Sequence, residues 1–378
     1  MKKYIAQIAI YSLILLSFYL VSTNLTSPTV ISQTPQQETT TPVEQKIQAT
    51  TTSNTVTLAN TTPKTTQKQL IKTKYITPTS VQDAQKVLVT TPEPTTSFES
   101  INENARKAVI NILCTTDSSG PLTPITGSGV IISKDGVVLT NAHIAQYFLL
   151  KDFNNQKDFV KCVIRTGNPA YPTYKAELVY ISTKWIAEHK NDITLPNPQG
   201  TGEYDYAFLR ITGKIDGSAM PQELPFVAIN TEDTVNVGTN AILISYPAGF
   251  LGGQTIIQSL YQSSAVIRVS DRYTFGENTV DLISLGSSIV AQKGSSGGAV
   301  IDEKGKLLGI ISTSSDGDTT QSRNLRAITS EYINRSLMEG TDVNISSLVK
   351  SSAPYATTFN TDVAPTLTKA LSDVILKK

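Results

Sequence analysis

Residues 127–143 read GSGVIISKDGVVLTNAH. Two short apolar runs, GSGVIIS at 127–133 and VVLTN at 137–141, flank Lys134-Asp-Gly136, whose aspartate and glycine suit a tight hairpin turn. The same grammar runs outward in both directions. Upstream lies AVINILC (108–114), and downstream follow FVKCVIR (159–165), AELVYIS (176–182) and YAFLRI (206–211). A second series holds AILISY (241–246), SAVIRVS (264–270), VDLISLG (280–286), GAVID (298–302) and KLLGIIS (306–312), with a second hairpin turn at Glu303-Lys-Gly305. Short apolar runs separated by turn residues mark an all-β sandwich or barrel. Two sets of roughly six strands predict two small barrels, about 97–215 and about 216–340.

The flanks are different material. Residues 1–22 place Lys2 and Lys3 before an apolar run from Tyr4 to Val21. About 18 residues at 1.5 Å each give roughly 27 Å, close to the apolar thickness of a bilayer. The positive start orients the N-terminus inward and the remainder outward. We expect an uncleaved signal anchor; the alternative is a cleaved signal, although Val21-Ser22-Thr23-Asn24 is a poor cleavage site. Residues 23–96 are about one-third Thr, with Pro, Gln and Lys and almost no aromatics, a composition expected to form a disordered stalk. Folded sequence is expected from residue 97, opening with a capping box at Ser100-Ile-Asn-Glu103. The tail, 341–378, is polar except for a helical stripe, Leu367, Ala370, Leu371, Val374 and Ile375, expected to dock on the fold.

Composition excludes several functions. With 32 basic against 31 acidic residues, the chain has no electrostatic footprint for nucleic acid. Two cysteines and two histidines, with no CxxC, argue against a metal site, and no cofactor is expected. Gly249-Phe-Leu-Gly252-Gly253 lacks the ending of a phosphate-binding loop. No Gly-x-Ser-x-Gly elbow with a downstream histidine points to an esterase.

Three segments carry chemistry. Thr140-Asn-Ala-His143 closes a strand, Glu203-Tyr-Asp205 opens one, and Gly294-Ser-Ser296-Gly-Gly298 is a glycine-bounded loop leading into another. Acyl transfer needs a hydroxyl nucleophile, a base near neutral pKa, a carboxylate to orient that base, and N–H donors for the oxyanion. A Gly-x-Ser-Gly-Gly loop can supply nucleophile and donors together, because glycine permits the conformation that turns the N–H groups of Gly294 and Ser296 to one point.

In the order His, Asp, Ser, with the serine in the second β half, the chain resembles the chymotrypsin-like serine proteases, and most nearly the HtrA/DegP type. The resemblance spans roughly residues 100–335 through TNAHI at His143, DYAFLRI at Asp205, YPAGFLGGQT at 246–255, GSSGGAV at Ser296, and KLLGIIST followed by RAITSEYI. It implies two six-stranded Greek-key barrels with the active site between them. His143 would be general base, Asp205 its orienter, Ser296 the nucleophile, and Gly294 with Ser296 the oxyanion hole. The substrate would be a peptide or protein. Asn191-Asp192 also fits the acidic motif, but Pro196-Asn-Pro198 follows it, and proline breaks a central strand, so Asp205 is preferred. His189, in the charged run Glu-His-Lys-Asn, reads as a solvated loop residue.

The resemblance also has departures. Ser295 stands where digestive members carry an aspartate that pairs with a newly cut N-terminus, so activation by such a cut is not expected. About 38 residues follow the barrels, too few for the PDZ domain that HtrA-type proteins carry, so none is expected. The topology implied by the family makes the strands of Cys114 and Cys162 neighbours, so these form a candidate disulfide; two unpaired buried thiols are the alternative. By the same resemblance Val290, Ala291, Ser312 and Ala327 would line the specificity pocket. Without a carboxylate at its base, such a pocket would favour small or medium aliphatic side chains, unless Arg326 points inward and selects an acidic one. The reading is an exported, membrane-anchored serine endopeptidase. Its rival is a surface binding protein on an inactive protease fold.

Overall fold

The computed structural model of the chain describes residues 97–377 except 117–121, 196–197, 199, 233–234, 277 and 315–323. The anchor at 1–22 and the stalk at 23–96 lie outside the described residues, among which no helix is long and apolar enough to cross a membrane.

Helix α1 (Phe98–Arg106) begins earlier than the capping-box pattern suggested. Its N-cap is Ser97, whose Oγ accepts the Ser100 N–H at 3.2 Å. Six strands follow: β1 (Val109–Thr116), β2 (Ile125–Ile131), β3 (Val137–Thr140), β4 (Val160–Thr166), β5 (Tyr171–Ile181) and β6 (Ala207–Lys214). They close into a barrel in the order β1-β2-β3-β6-β5-β4. The closing pair, β1 with β4, sets Cys114 directly opposite Cys162, and the two form a disulfide. Between strands lie two helices, α2 (Ala142–Ala145) and α3 (Thr183–His189).

The second half contains β7 (Asn240–Ser245), helix α4 (Gly253–Gln258), β8 (Ser263–Arg268), β9 (Asp271–Tyr273), β10 (Leu282–Ser284), β11 (Ala299–Ile301), β12 (Leu307–Ser314) and β13 (Leu325–Thr329). The sheet order is β8-β7-β11-β12-β13-β10-β9, so its two ends are strands consecutive in sequence. Only Val269 and Ser270 separate them. Val269 donates to Thr239 O beside β7 at 2.9 Å, and Ser270 donates to Ser284 O on β10 at 3.0 Å. β8 and β9 are thus one strand bent at a corner, which carries the sheet round into a second six-membered barrel.

Alternation along the strands divides the apolar residues between two cores. On β7, Ala241 and Leu243 belong to the core of the second barrel, while Ile242 and Ile244 join the core shared with the first. The chain then forms α5 (Ser330–Thr341), α6 (Ile345–Lys350), α7 (Ser352–Thr358) and α8 (Ala364–Ile375). Leu367, Leu371 and Ile375 are buried, and Thr368 Oγ1 donates to Leu149 O at 3.0 Å, so the apolar stripe lies on the first barrel. The tail is more helical than its polar composition suggested, since Ile345, Leu348, Ala356 and Phe359 are buried as well.

Candidate active site

Strand β3 ends at Thr140, and the chain turns at once into α2, which carries His143. Asn141 is fully buried at that turn and donates its amide to Asp205 O at 2.8 Å. This contact ties the start of α2 to the segment that enters β6. Asp205 is 4% exposed, and its carboxylate faces three donors. Its Oδ1 accepts the His143 backbone N–H at 3.0 Å, and its Oδ2 lies 2.9 Å from His143 Nδ1 and accepts the Ser312 hydroxyl at 2.8 Å.

Burial works to raise the pKa of Asp205. The adjacent imidazole and the bonds from His143 and Ser312 outweigh it and hold the carboxyl below its ordinary value. An ionised carboxylate only accepts, so His143 Nδ1 carries a proton and, in the neutral ring, leaves Nε2 free to accept one.

Ser296 reaches this pair through β2. Ser128 N donates to Ser296 O at 2.7 Å, Ser128 Oγ donates to Gly294 O at 2.8 Å, and Thr140 Oγ1 donates to Ser128 O at 2.7 Å. From Ser296 the path therefore runs through Ser128 and Thr140 to the turn that bears His143. Gly297 makes the approach possible. Its φ is +82°, and a Cβ there would lie 2.0 Å from Ser128 O, so only glycine lets the loop seat on β2.

Gly294 also has a positive φ, +91°. Among the described residues the N–H groups of Gly294 and Ser296 donate to no protein acceptor, and the half-buried Ser296 hydroxyl makes no hydrogen bond. Two unpaired N–H groups beside an unpaired hydroxyl suit an incoming carbonyl oxygen. Ser295, 1% exposed, donates its hydroxyl to Val290 O and accepts from Ser245 Oγ at 3.0 Å. The interior position next to Ser296 is therefore filled by a neutral, satisfied side chain.

Residues 127–310 match the model of the trypsin-like peptidase domain family. The chain carries a trypsin-like peptidase domain. It is 27% identical over 240 residues to the serine endoprotease DegS of Haemophilus influenzae, covering 64% of this chain and 52% of that protein. The chain thus spans about half the length of that relative. Among solved structures it is similar to the active form of the Rv3671c protease of M. tuberculosis, with 16% identity, a TM-score of 0.41 and coverage of 64% and 84% of the two chains. A serine endoprotease from Yersinia pestis gives 23% identity, a TM-score of 0.40 and coverage of 65% and 66%.

Within the peptidase domain the residues expected to line the pocket divide between the barrel core and the Asp205 site. Val290, Ala291 and Ala327 are at most 1% exposed and belong to the core of the second barrel, where they offer no surface to a substrate. Ser312 turns to Asp205. Its position directly after the apolar run GII was a signal of its own, because a hydroxyl buried there must find a partner. Arg326 lays its guanidinium over the Tyr273 ring, 5.0 Å from the centroid. The segment 315–323, which follows β12, lies outside the described residues.

The two competing residues pair with each other, away from Asp205. His189 Nδ1 lies 2.7 Å from Asp192 Oδ2, and the imidazole stacks on Trp185 at 5.1 Å. His189 ends α3 half-buried, which corrects its reading as a solvated loop residue. Among the described residues no cluster of His, Cys, Asp and Glu could hold a metal.

Proposed function

We propose that the chain is an exported serine endopeptidase in which His143, Asp205 and Ser296 form the catalytic triad. The observation that carries this reading is the Asp205 carboxylate, bonded to both the backbone N–H and Nδ1 of His143 while the Ser296 loop is seated on β2 beside it. Ser296 Oγ attacks the scissile carbonyl carbon as its proton passes to His143 Nε2. The carbonyl oxygen takes the electron pair and turns to the N–H groups of Gly294 and Ser296. Asp205 stabilises the imidazolium. The intermediate collapses, the C–N bond breaks, and the leaving amine takes the proton from Nε2. Water then attacks the acyl-enzyme, gives its proton to His143, and the serine recovers it as the new carboxylic acid departs.

The Cys114–Cys162 disulfide fits an oxidising compartment and so supports export. Residues 1–22 would tether the domain outside the cytoplasmic membrane, or direct secretion if they are cleaved. The test is labelling of the full chain with a fluorophosphonate, read by mass at Ser296. Wild type should label and Ser296→Ala should not. A wild type that stays unlabelled under native conditions would overturn the enzyme reading in favour of an inactive binding protein.

A further inference from the structure

The neighbours of Asp205 are both held by one helix from the far end of the domain. Tyr204 has φ +56°, a left-handed conformation that a bulky residue rarely adopts and that the surroundings must enforce. Its N–H donates to the Tyr332 hydroxyl on α5 at 3.0 Å. Tyr206, wholly buried, donates its hydroxyl to Ser336 Oγ on the same helix at 2.9 Å. Residues 332 and 336 are four apart and share one helix face.

The helix is itself rooted in the second barrel. Thr329 caps it by accepting the Tyr332 N–H at 3.1 Å, and Ser330 Oγ donates to Leu307 O on β12 at 2.9 Å. The Tyr332 ring is fixed edge-on against Phe275, with centroids 5.0 Å apart, so its hydroxyl has little freedom to leave Tyr204. Tyr206 stacks on Tyr180 at 6.0 Å and meets Phe208 edge-on at 6.2 Å, which fixes the ring whose hydroxyl Ser336 accepts.

We propose that Tyr332 and Ser336 are positioning residues, which hold the Tyr204 N–H on one side of Asp205 and the Tyr206 side chain on the other and so aim its carboxylate at His143. The inference rests on the catalytic reading of His143 and Asp205. A displaced Tyr204 peptide would rotate the Asp205 Cα–Cβ bond. The carboxylate would then lose alignment with Nδ1 even though neither α5 residue touches it.

The test uses the full chain with Tyr332→Phe, which keeps the ring, and Ser336→Ala. Asn334→Ala serves as comparison, since Asn334 Oδ1 on the same helix accepts the Ile345 N–H at 3.0 Å. Peptide turnover is measured with the downfield proton resonance of His143 Nδ1–H, which is the signal missing in His143→Ala. Each positioning variant should lower kcat about tenfold with KM within twofold, the order expected for one lost hydrogen bond. Each should also move the resonance upfield. Asn334→Ala should change neither, whatever it does to thermal stability. Should Tyr332→Phe not fold, Ser336→Ala decides alone. The proposal is overturned if the folded variants keep both kcat and resonance, or if Asn334→Ala matches their losses. If wild type turns over no peptide, the catalytic reading fails, and the resonance comparison alone still decides the positioning.

Discussion

The hydroxyl of Ser312 and the carboxylate of Asp205 meet across the junction of the barrels, Oγ to Oδ2 at 2.8 Å, both of them buried. One barrel thus supplies the acid and the other supplies part of what keeps it ionised. Truncation to Ser312→Ala leaves a buried carboxylate one donor short, which costs about 1–3 kcal/mol. We expect a thermal midpoint lower by several degrees and kcat reduced about tenfold. Calorimetry and peptide hydrolysis of the same preparation check both, and an unchanged kcat would show the bond to be purely structural.

The two aspartates separate cleanly by geometry. Asp205→Asn keeps the shape but favours the wrong tautomer of His143, and a loss on the order of 10⁴ in kcat is expected. Asp192→Asn breaks only the contact to His189, whose ring remains stacked on Trp185. It should leave kcat within twofold. The reverse ranking in steady-state kinetics would hand the orienting role to Asp192.

The pH dependence of stability follows from the same carboxylate. The native pKa of Asp205 is held below the ordinary value of 3.8, because the bonds from His143 and Ser312 outweigh burial. A depressed carboxyl adds stability above its unfolded pKa and loses it as pH falls through the native value. The difference in urea midpoint between wild type and Asp205→Asn should therefore be constant above about pH 5 and shrink progressively as pH falls below it. A difference that grows on acidification would mean that burial dominates.

The Cys114–Cys162 bridge closes a loop of 48 residues across the seam of the first barrel. In the chain-entropy model such a closure contributes about 4 kcal/mol. Alkylation of unreduced protein, read by mass, should find no free thiol. The double variant Cys114→Ala, Cys162→Ala should unfold at a clearly lower urea concentration. Two alkylated cysteines in unreduced protein would refute the bridge.

What was legible in the sequence tracks how far local chemistry decides the structure. The apolar strands of the first barrel and the hairpin turns at Gly136 and Gly305 were readable because alternation and turn residues act over a few positions. Strand β9, Asp271–Tyr273, is exposed throughout and has no apolar run to betray it. Helix α3 was missed although Ser182 caps it, its Oγ accepting the Trp185 N–H at 3.3 Å, a start signal that was present and unused. Motif and order single out His143, Asp205 and Ser296 as candidates, and the fold brings the first two into contact. Val290 and Ala327 lie in the core of the second barrel, which counting positions from Ser296 does not reveal, because the count says nothing about which face of that barrel a residue joins. The grip of Tyr332 on Tyr204 joins residues 128 positions apart, and only the fold reveals it.

Gly297 offers the sharpest test of how the Ser296 loop is seated. Two costs coincide there. A side chain must adopt φ +82°, worth roughly 1 kcal/mol, and its Cβ must displace the Ser128 carbonyl, which stands 2.0 Å away and is held by Thr140. A backbone oxygen cannot swing aside as a flexible side chain would, so the loop itself has to lift, adding about 1–3 kcal/mol. Lifting breaks the 2.7 Å bond from Ser128 N to Ser296 O and carries the hydroxyl away from His143. Gly297→Ala should therefore lose fluorophosphonate labelling by at least 10²-fold in rate, of the order that small misplacements of reacting groups cost. Gly305→Ala separates strain from contact: its φ is +77°, but the nearest atom to a new Cβ is 3.9 Å away. That variant should lose a little stability and label at the wild-type rate. If Gly297→Ala labels as fast as Gly305→Ala, then the seat on Ser128 does not place Ser296.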